Sequence, residues 1–141
     1  MKFMAKNNKT IIIKRESYQT SRNIFASFQY AINGLIYCFQ TTRNFRIQLS
    51  FGALVIILCS LFKCTLNEYI IIISTIFSVL ILELLNTSVE SIVDLNVKNK
   101  FNKLAKISKD CAAASVLLAS LNSIFVAVFI FFPKIKLILF S

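Results

Sequence analysis

Three apolar runs limit what this chain can fold into. Residues 47–62 hold Gln48 as their only strongly polar member, and neither 69–82 nor 111–132 contains a charged residue. A membrane-crossing helix needs about 20 residues, with a range of about 17 to 25. The third run reaches that length alone. The second reaches it when extended to about Asp94, and the first when Phe45 and Arg46 are added at its edge, where an arginine can keep its head in water. With 57% of 141 residues hydrophobic and a mean hydropathy of +0.72, the chain is too apolar for a soluble core of this size. It reads as one all-α membrane domain with spans at about 46–63, 69–95 and 109–132.

Basic residues orient these spans. Eight Lys and Arg precede Ile47, one (Lys63) lies in the first connection, five fall between Asn96 and Asp110, and two follow Pro133. The positive-inside rule then puts the N-terminus and the second connection in the cytoplasm and the C-terminus outside, as in a multi-pass protein of a bacterial-type inner membrane. The net charge of +10 sits beside apolar spans. Anionic headgroups or phosphorylated ligands suit that placement, and nucleic acid does not. With no histidine and four scattered cysteines, a zinc site and a Cys/His nucleophile are excluded. Cys59 and Cys64 read as small residues of packed helices, with a paired role on an oxidising side as the alternative.

Residues 1–20 are rich in Lys and Asn, lack the apolar core of a signal peptide, and read as a flexible cytoplasmic tail. From a Ser21 N-cap, Ile24, Phe28, Ile32, Leu35, Ile36 and Phe39 recur on one face. That stripe predicts an amphipathic helix over about 21–41 lying in the inner interface. The small residues of AAASVLLAS (112–120) suit close helix packing and self-association.

The second span carries the chemistry. In ILELLNTSVESIVDL (81–95), Glu83, Asn86, Glu90 and Asp94 stand at offsets 0, 3, 7 and 11, which is one helix face. An acid near mid-bilayer costs about 2.5 to 3.5 kcal/mol, which argues for a use, the plain alternative being acids that pair with nearby lysines. Glu83 and Glu90 lie roughly 10 Å apart along the axis, too far to share one proton or one metal ion. They read as a deeper acid for a membrane-borne group and a shallower one for a water-borne group.

Only two glycines are present and no glycine-rich phosphate cradle, so any phosphate site must be built from side chains. Arg22, Arg43, Arg46, Lys98, Lys100, Lys103, Lys106 and Lys109 are available on the side where ATP is found. Mg²⁺ takes one or two carboxylates plus phosphate oxygens and waters, which Glu90 or Asp94 can supply. Lys109 and Asp110 stand at the mouth of the third span, either as ligand groups or as a flanking charge pair. The inventory points to phosphoryl transfer from a nucleotide to a lipid hydroxyl.

ELLNTSVESIVD (83–94) resembles the signature E-x-x-N-[ST]-x-x-E-x-x-x-D of the small prokaryotic integral-membrane kinases of diacylglycerol and undecaprenol. SFQYAINGLIYCFQTTRNFRIQL (27–49) and AKISKDCAAASVLLA (105–119) resemble that family's other two blocks, in order and at matching spacing. The resemblance implies a homotrimer of three-span subunits with a surface helix, active sites shared between neighbours, and ATP with Mg²⁺ as donor. It implies Glu83 as base on the lipid hydroxyl, Asn86 beside it, and Glu90 as metal ligand. Tyr30, Lys109 and Asp110 would contact ATP, as would Arg22 near the start of the surface helix. Thr42 stands where many relatives carry a second metal-binding glutamate, so Thr42 or Asp94 would complete the metal site. Lys100, Phe101 and Asn102 also depart from the family pattern.

Diacylglycerol is the expected acceptor and undecaprenol the alternative within the family. Two readings of other classes are an oligomeric proton or ion pathway lined by Glu83 and Glu90, and a structural membrane subunit.

Overall fold

The computed structural model describes residues 24–97 and 101–140. These form four helices and no strand: α1 (Ile24–Thr41), α2 (Arg43–Leu61), α3 (Leu66–Val97) and α4 (Lys103–Leu139). The expected tail, Ser21 and Arg22 lie outside the described residues. The helices α2, α3 and α4 are each long and apolar enough to cross a membrane.

Local sequence explains the joints. Thr42 adopts an extended conformation (φ −97°, ψ 111°) and its N–H still bonds Cys38 O at 2.9 Å, so the chain turns without a gap between α1 and α2. At the other end of α2, Lys63 takes a left-handed φ of 52°, Cys64 N–H bonds Cys59 O, and Lys63 N–H bonds Ser60 O. This is a Schellman termination with lysine in the position that usually holds glycine. Thr65 and Glu68 then form a reciprocal capping box. Glu68 Oε2 accepts from Thr65 N–H at 2.6 Å, and Thr65 Oγ1 accepts from Glu68 N–H at 3.4 Å. Asn102 caps α4 by accepting from the N–H groups of Leu104 and Ala105.

The fourth helix starts earlier and ends later than the apolar run that marks its span. Its first turns absorb the end of the basic loop, and it passes through Pro133 to Leu139. Proline removes one rung of the ladder, but ending the helix there would strand several carbonyls in apolar surroundings.

The chain divides into two compact units, residues 1–37 and 38–141. In the first, Ile24, Phe25, Phe28, Ile32, Leu35 and Ile36 are all exposed. In the second, α3 is central and packs against both α2 and α4. Its core gathers near the α2–α3 turn around Cys59, Ile72 and Phe131, with Val55, Leu58, Tyr69 and Ile76 against it. Phe62 and Phe131 meet edge to face at 5.6 Å. Glu68 and Lys134 pair at 3.0 Å, which puts the last turns of α4 beside the start of α3. All four cysteines are free thiols, Cys59 being fully buried.

Gly52 sets the approach of α2 to α3. A Cβ built there would lie 2.9 Å from Ile76 Cγ2, closer than ordinary contact allows. A cavity of about 340 Å³ opens between the three spans, lined among others by Gln48, Gly52, Val79, Ser120 and Ala127.

Candidate functional site

Most polar side chains of α3 are satisfied by the helix that carries them. Ser74, Ser78, Thr87, Ser88 and Ser91 each donate to the carbonyl four residues earlier, and Thr75 to the one three earlier. Such back-bonding lets a hydroxyl sit in an apolar layer without seeking a partner elsewhere. The carboxylates of the stripe, which have no proton to donate, lack that recourse, and Asn86 turns its amide to Glu90 where Asn96 bonds back to Ile92 O.

Glu83 is the most deeply placed of them, at 1% exposure. Its Oε2 accepts from Gln48 Nε2 of α2 at 3.3 Å, and its Oε1 is buried with no hydrogen-bond partner. One turn along, the buried Asn86 donates Nδ2 to Glu90 Oε1 at 3.2 Å, leaving Asn86 Oδ1 without a partner. Both amides must point their NH₂ groups at the carboxylates, because reversing either would set oxygen against oxygen. Glu90 is half-buried and Asp94 exposed, so the stripe climbs from a dry interior to open solvent.

Charge is distributed unevenly along the row. Asp94 is paired with Lys109 of α4. Among the described residues, no Lys or Arg nitrogen comes within 4.0 Å of Glu83 or Glu90. Within that same set of residues, their only side-chain donors are neutral amides. Neither is therefore neutralised by a cation from the described residues.

The remaining candidates are dispersed. Tyr30 is exposed on α1, and Asp110 is exposed next to Lys109. Thr42 is half-buried and its side chain makes no capping bond to α2. Arg46, one of the possible phosphate donors, instead gives its Nη1 to the carbonyls of Phe39 and Gln40 at 3.2 and 2.9 Å, sealing the end of α1. Gln48 was not among the expected site residues, although a lone strongly polar side chain in an apolar span was itself a signal. It takes a place beside Glu83 from 35 residues away in the chain.

The donor set suits one kind of metal. No group of three His, Cys, Asp or Glu side chains that could hold an ion occurs among the described residues. Mg²⁺ carried on a nucleotide needs only one or two protein carboxylates, and Glu90 offers one without a neutralising cation. Asp94 is less available, its charge being met by Lys109.

Comparison with known proteins identifies the family. The family model for prokaryotic diacylglycerol kinase matches residues 29–131, which include the whole of the first two spans, most of the third and the whole acidic stripe. The chain is 41% identical over 123 residues to a diacylglycerol kinase of Synechocystis sp., covering 87% of this chain and 70% of that protein. It is 36% identical over 111 residues to the undecaprenol kinase of Bacillus subtilis, covering 79% and 89%. It is 32% identical over 97 residues to a diacylglycerol kinase of Haemophilus influenzae, covering 69% and 81%. A buried acid with a free oxygen on a membrane span, three such spans and this match together make the chain a multi-pass lipid kinase of the prokaryotic diacylglycerol kinase family.

Proposed function

We propose that this protein transfers the γ-phosphoryl group of ATP to the hydroxyl of diacylglycerol, giving phosphatidic acid. The observation that carries the reading is Glu83: a carboxylate at 1% exposure, on a membrane span, with one oxygen unengaged and, among the described residues, no cation against it. Such a group has no structural task that a leucine would not perform better.

Phosphoryl transfer asks the protein mainly for placement and charge neutralisation. Glu83 takes the proton of the acceptor hydroxyl at Oε1. The alcohol oxygen bonds the γ-phosphorus as the bond to the β–γ bridging oxygen breaks, and ADP leaves. A positioned base contributes about 10² to 10⁴ in rate. Glu90 would hold the Mg²⁺ of Mg-ATP, with Thr42 or Asp94 as a further ligand, and the ion would supply charge neutralisation at the phosphate oxygens. Tyr30, Arg22, Lys109 and Asp110 contact the nucleotide. To do so, Lys109 exchanges its bond to Asp94 for one to phosphate, a modest cost for an exposed pair.

The same reading makes α1 an interfacial helix, its exposed apolar residues lying at headgroup level. The N-terminus and the connection before Asn102 face the cytoplasm, and the α2–α3 turn and the C-terminus face outward. The Glu68–Lys134 pair supports this by holding the end of α4 at the level of that turn. Apolar faces left exposed along all three spans meet lipid or copies of the chain, consistent with a homotrimer whose sites are shared between neighbours.

The test is phosphorylation by the purified protein in detergent micelles, with γ-labelled ATP and either diacylglycerol or undecaprenol. Labelled phosphatidic acid is the expected product. Undecaprenol as the better acceptor would move the chain to the specificity of its Bacillus relative. No labelled lipid from either, together with ATP-independent ion flux in vesicles, would overturn the kinase reading.

A further inference from the structure

We propose that Gln48 is the positioning residue for Glu83 and decides which of its two oxygens receives the acceptor's proton. The proposal rests on the reading of Glu83 as the base. Three observations carry it. Gln48 Nε2 donates to Glu83 Oε2 at 3.3 Å, and Glu83 Oε1 has no partner. Gln48 and Gly52 are four residues apart on one face of α2, and the tight Gly52–Ile76 contact draws that face onto α3, so the amide reaches the carboxylate. Gln48 also lines the cavity between the spans, where it is the only amide or charged side chain.

Glutamine suits this task for a chemical reason. A free carboxylate turns about its last bond, and both oxygens then compete for any donor. A donor fixed on Oε2 stops that rotation and leaves Oε1, buried and without a partner, as the oxygen that can receive a proton. A lysine or arginine would hold the group as firmly, but its charge would stabilise the carboxylate and blunt it as a base. A neutral NH₂ orients without neutralising. Gln48 touches no reacting atom in this scheme and acts only through Glu83.

The experiment compares Gln48→Leu, Gln48→His, Glu83→Gln and the double variant Gln48→Leu/Glu83→Gln in full-length protein, with lipid and Mg-ATP varied separately. Gln48→Leu is expected to lower kcat about 10- to 100-fold, taking as the nearest parallel the loss that follows removal of a partner orienting a metal-bound ligand. Its KM for Mg-ATP stays within about twofold, since the nucleotide groups are untouched. Gln48→His, which keeps a ring N–H donor, regains most of the lost turnover. In the Glu83→Gln background the same Gln48→Leu change costs less than about threefold, because its effect passes through a carboxylate no longer there. Should the leucine variant not fold in detergent, Gln48→Asn, the same amide drawn back by one carbon, takes its place in the cycle. An unchanged kcat in Gln48→Leu, or an equal loss in both backgrounds, would overturn the proposal. Full turnover in Glu83→Gln would instead sink the reading of Glu83 as base, so the two failures are told apart.

Discussion

Neutral amides stand against the two inner acids, and a lysine stands against the outermost one. Gln48 and Asn86 each give a carboxylate one hydrogen bond while leaving its charge in place, whereas Lys109 cancels the charge of Asp94. This difference sets the two inner acids apart from Asp94 and, on the proposed mechanism, predicts unlike losses for Glu83 and Glu90. Glu83→Gln keeps the shape and the contact with Gln48 but cannot take a proton, so kcat should fall by about 10² to 10⁴ with Mg-ATP affinity retained. Glu90→Gln should instead raise the KM for Mg-ATP and the Mg²⁺ concentration needed for half-maximal rate. Steady-state kinetics on both variants checks the division. Near-normal turnover with equal ATP affinity in both would refute it.

At the scale of the element, the site depends on how closely α2 lies on α3. Gly52 leaves no room for even a methyl group beside Ile76, and Gln48 sits one turn further along the same face. Gly52→Val should therefore cost about 1 to 3 kcal/mol by overpacking, read as a lower midpoint of thermal unfolding in detergent. Gly52→Val/Ile76→Ala should recover part of that loss, because the added methyls gain the space the isoleucine vacates. A silent Gly52→Val would mean that the two helices can part without cost, and the contact between Gln48 and Glu83 would then need another support. The neighbouring joint is sturdier than its residues suggest. A lysine at the left-handed position after α2 is followed at once by a full capping box, so the outer turn is closed by local bonds alone.

For the whole molecule, the buried set is small and the exposed apolar set is large. Even within the best apolar windows of the spans, 22% or less of the residues are buried. A membrane protein can leave such faces to lipid, but a site shared between copies would also use them. If neighbours complete each other's sites, subunits carrying Glu83→Gln and subunits carrying Lys109→Met, each inactive alone, should regain activity when mixed before assembly. Sites built wholly within one chain would show no recovery on mixing, and chemical cross-linking of the same preparations would report the number of subunits.

What was legible in the sequence was everything set by local periodicity. The three spans follow from the length of apolar runs, and the polar face of Glu83, Asn86, Glu90 and Asp94 follows from the pitch of a helix whatever surrounds it. Partners were not legible in this way. Gln48 meets Glu83 across 35 residues, and Lys109 meets Asp94 across 15, through contacts between helices. No spacing rule within one helix reaches that far. Only the packing of α2 and α4 onto α3 decided which acid is neutralised, which is merely oriented, and which oxygen is left without a partner, because those outcomes turn on distances of a few ångströms between segments the chain order holds apart.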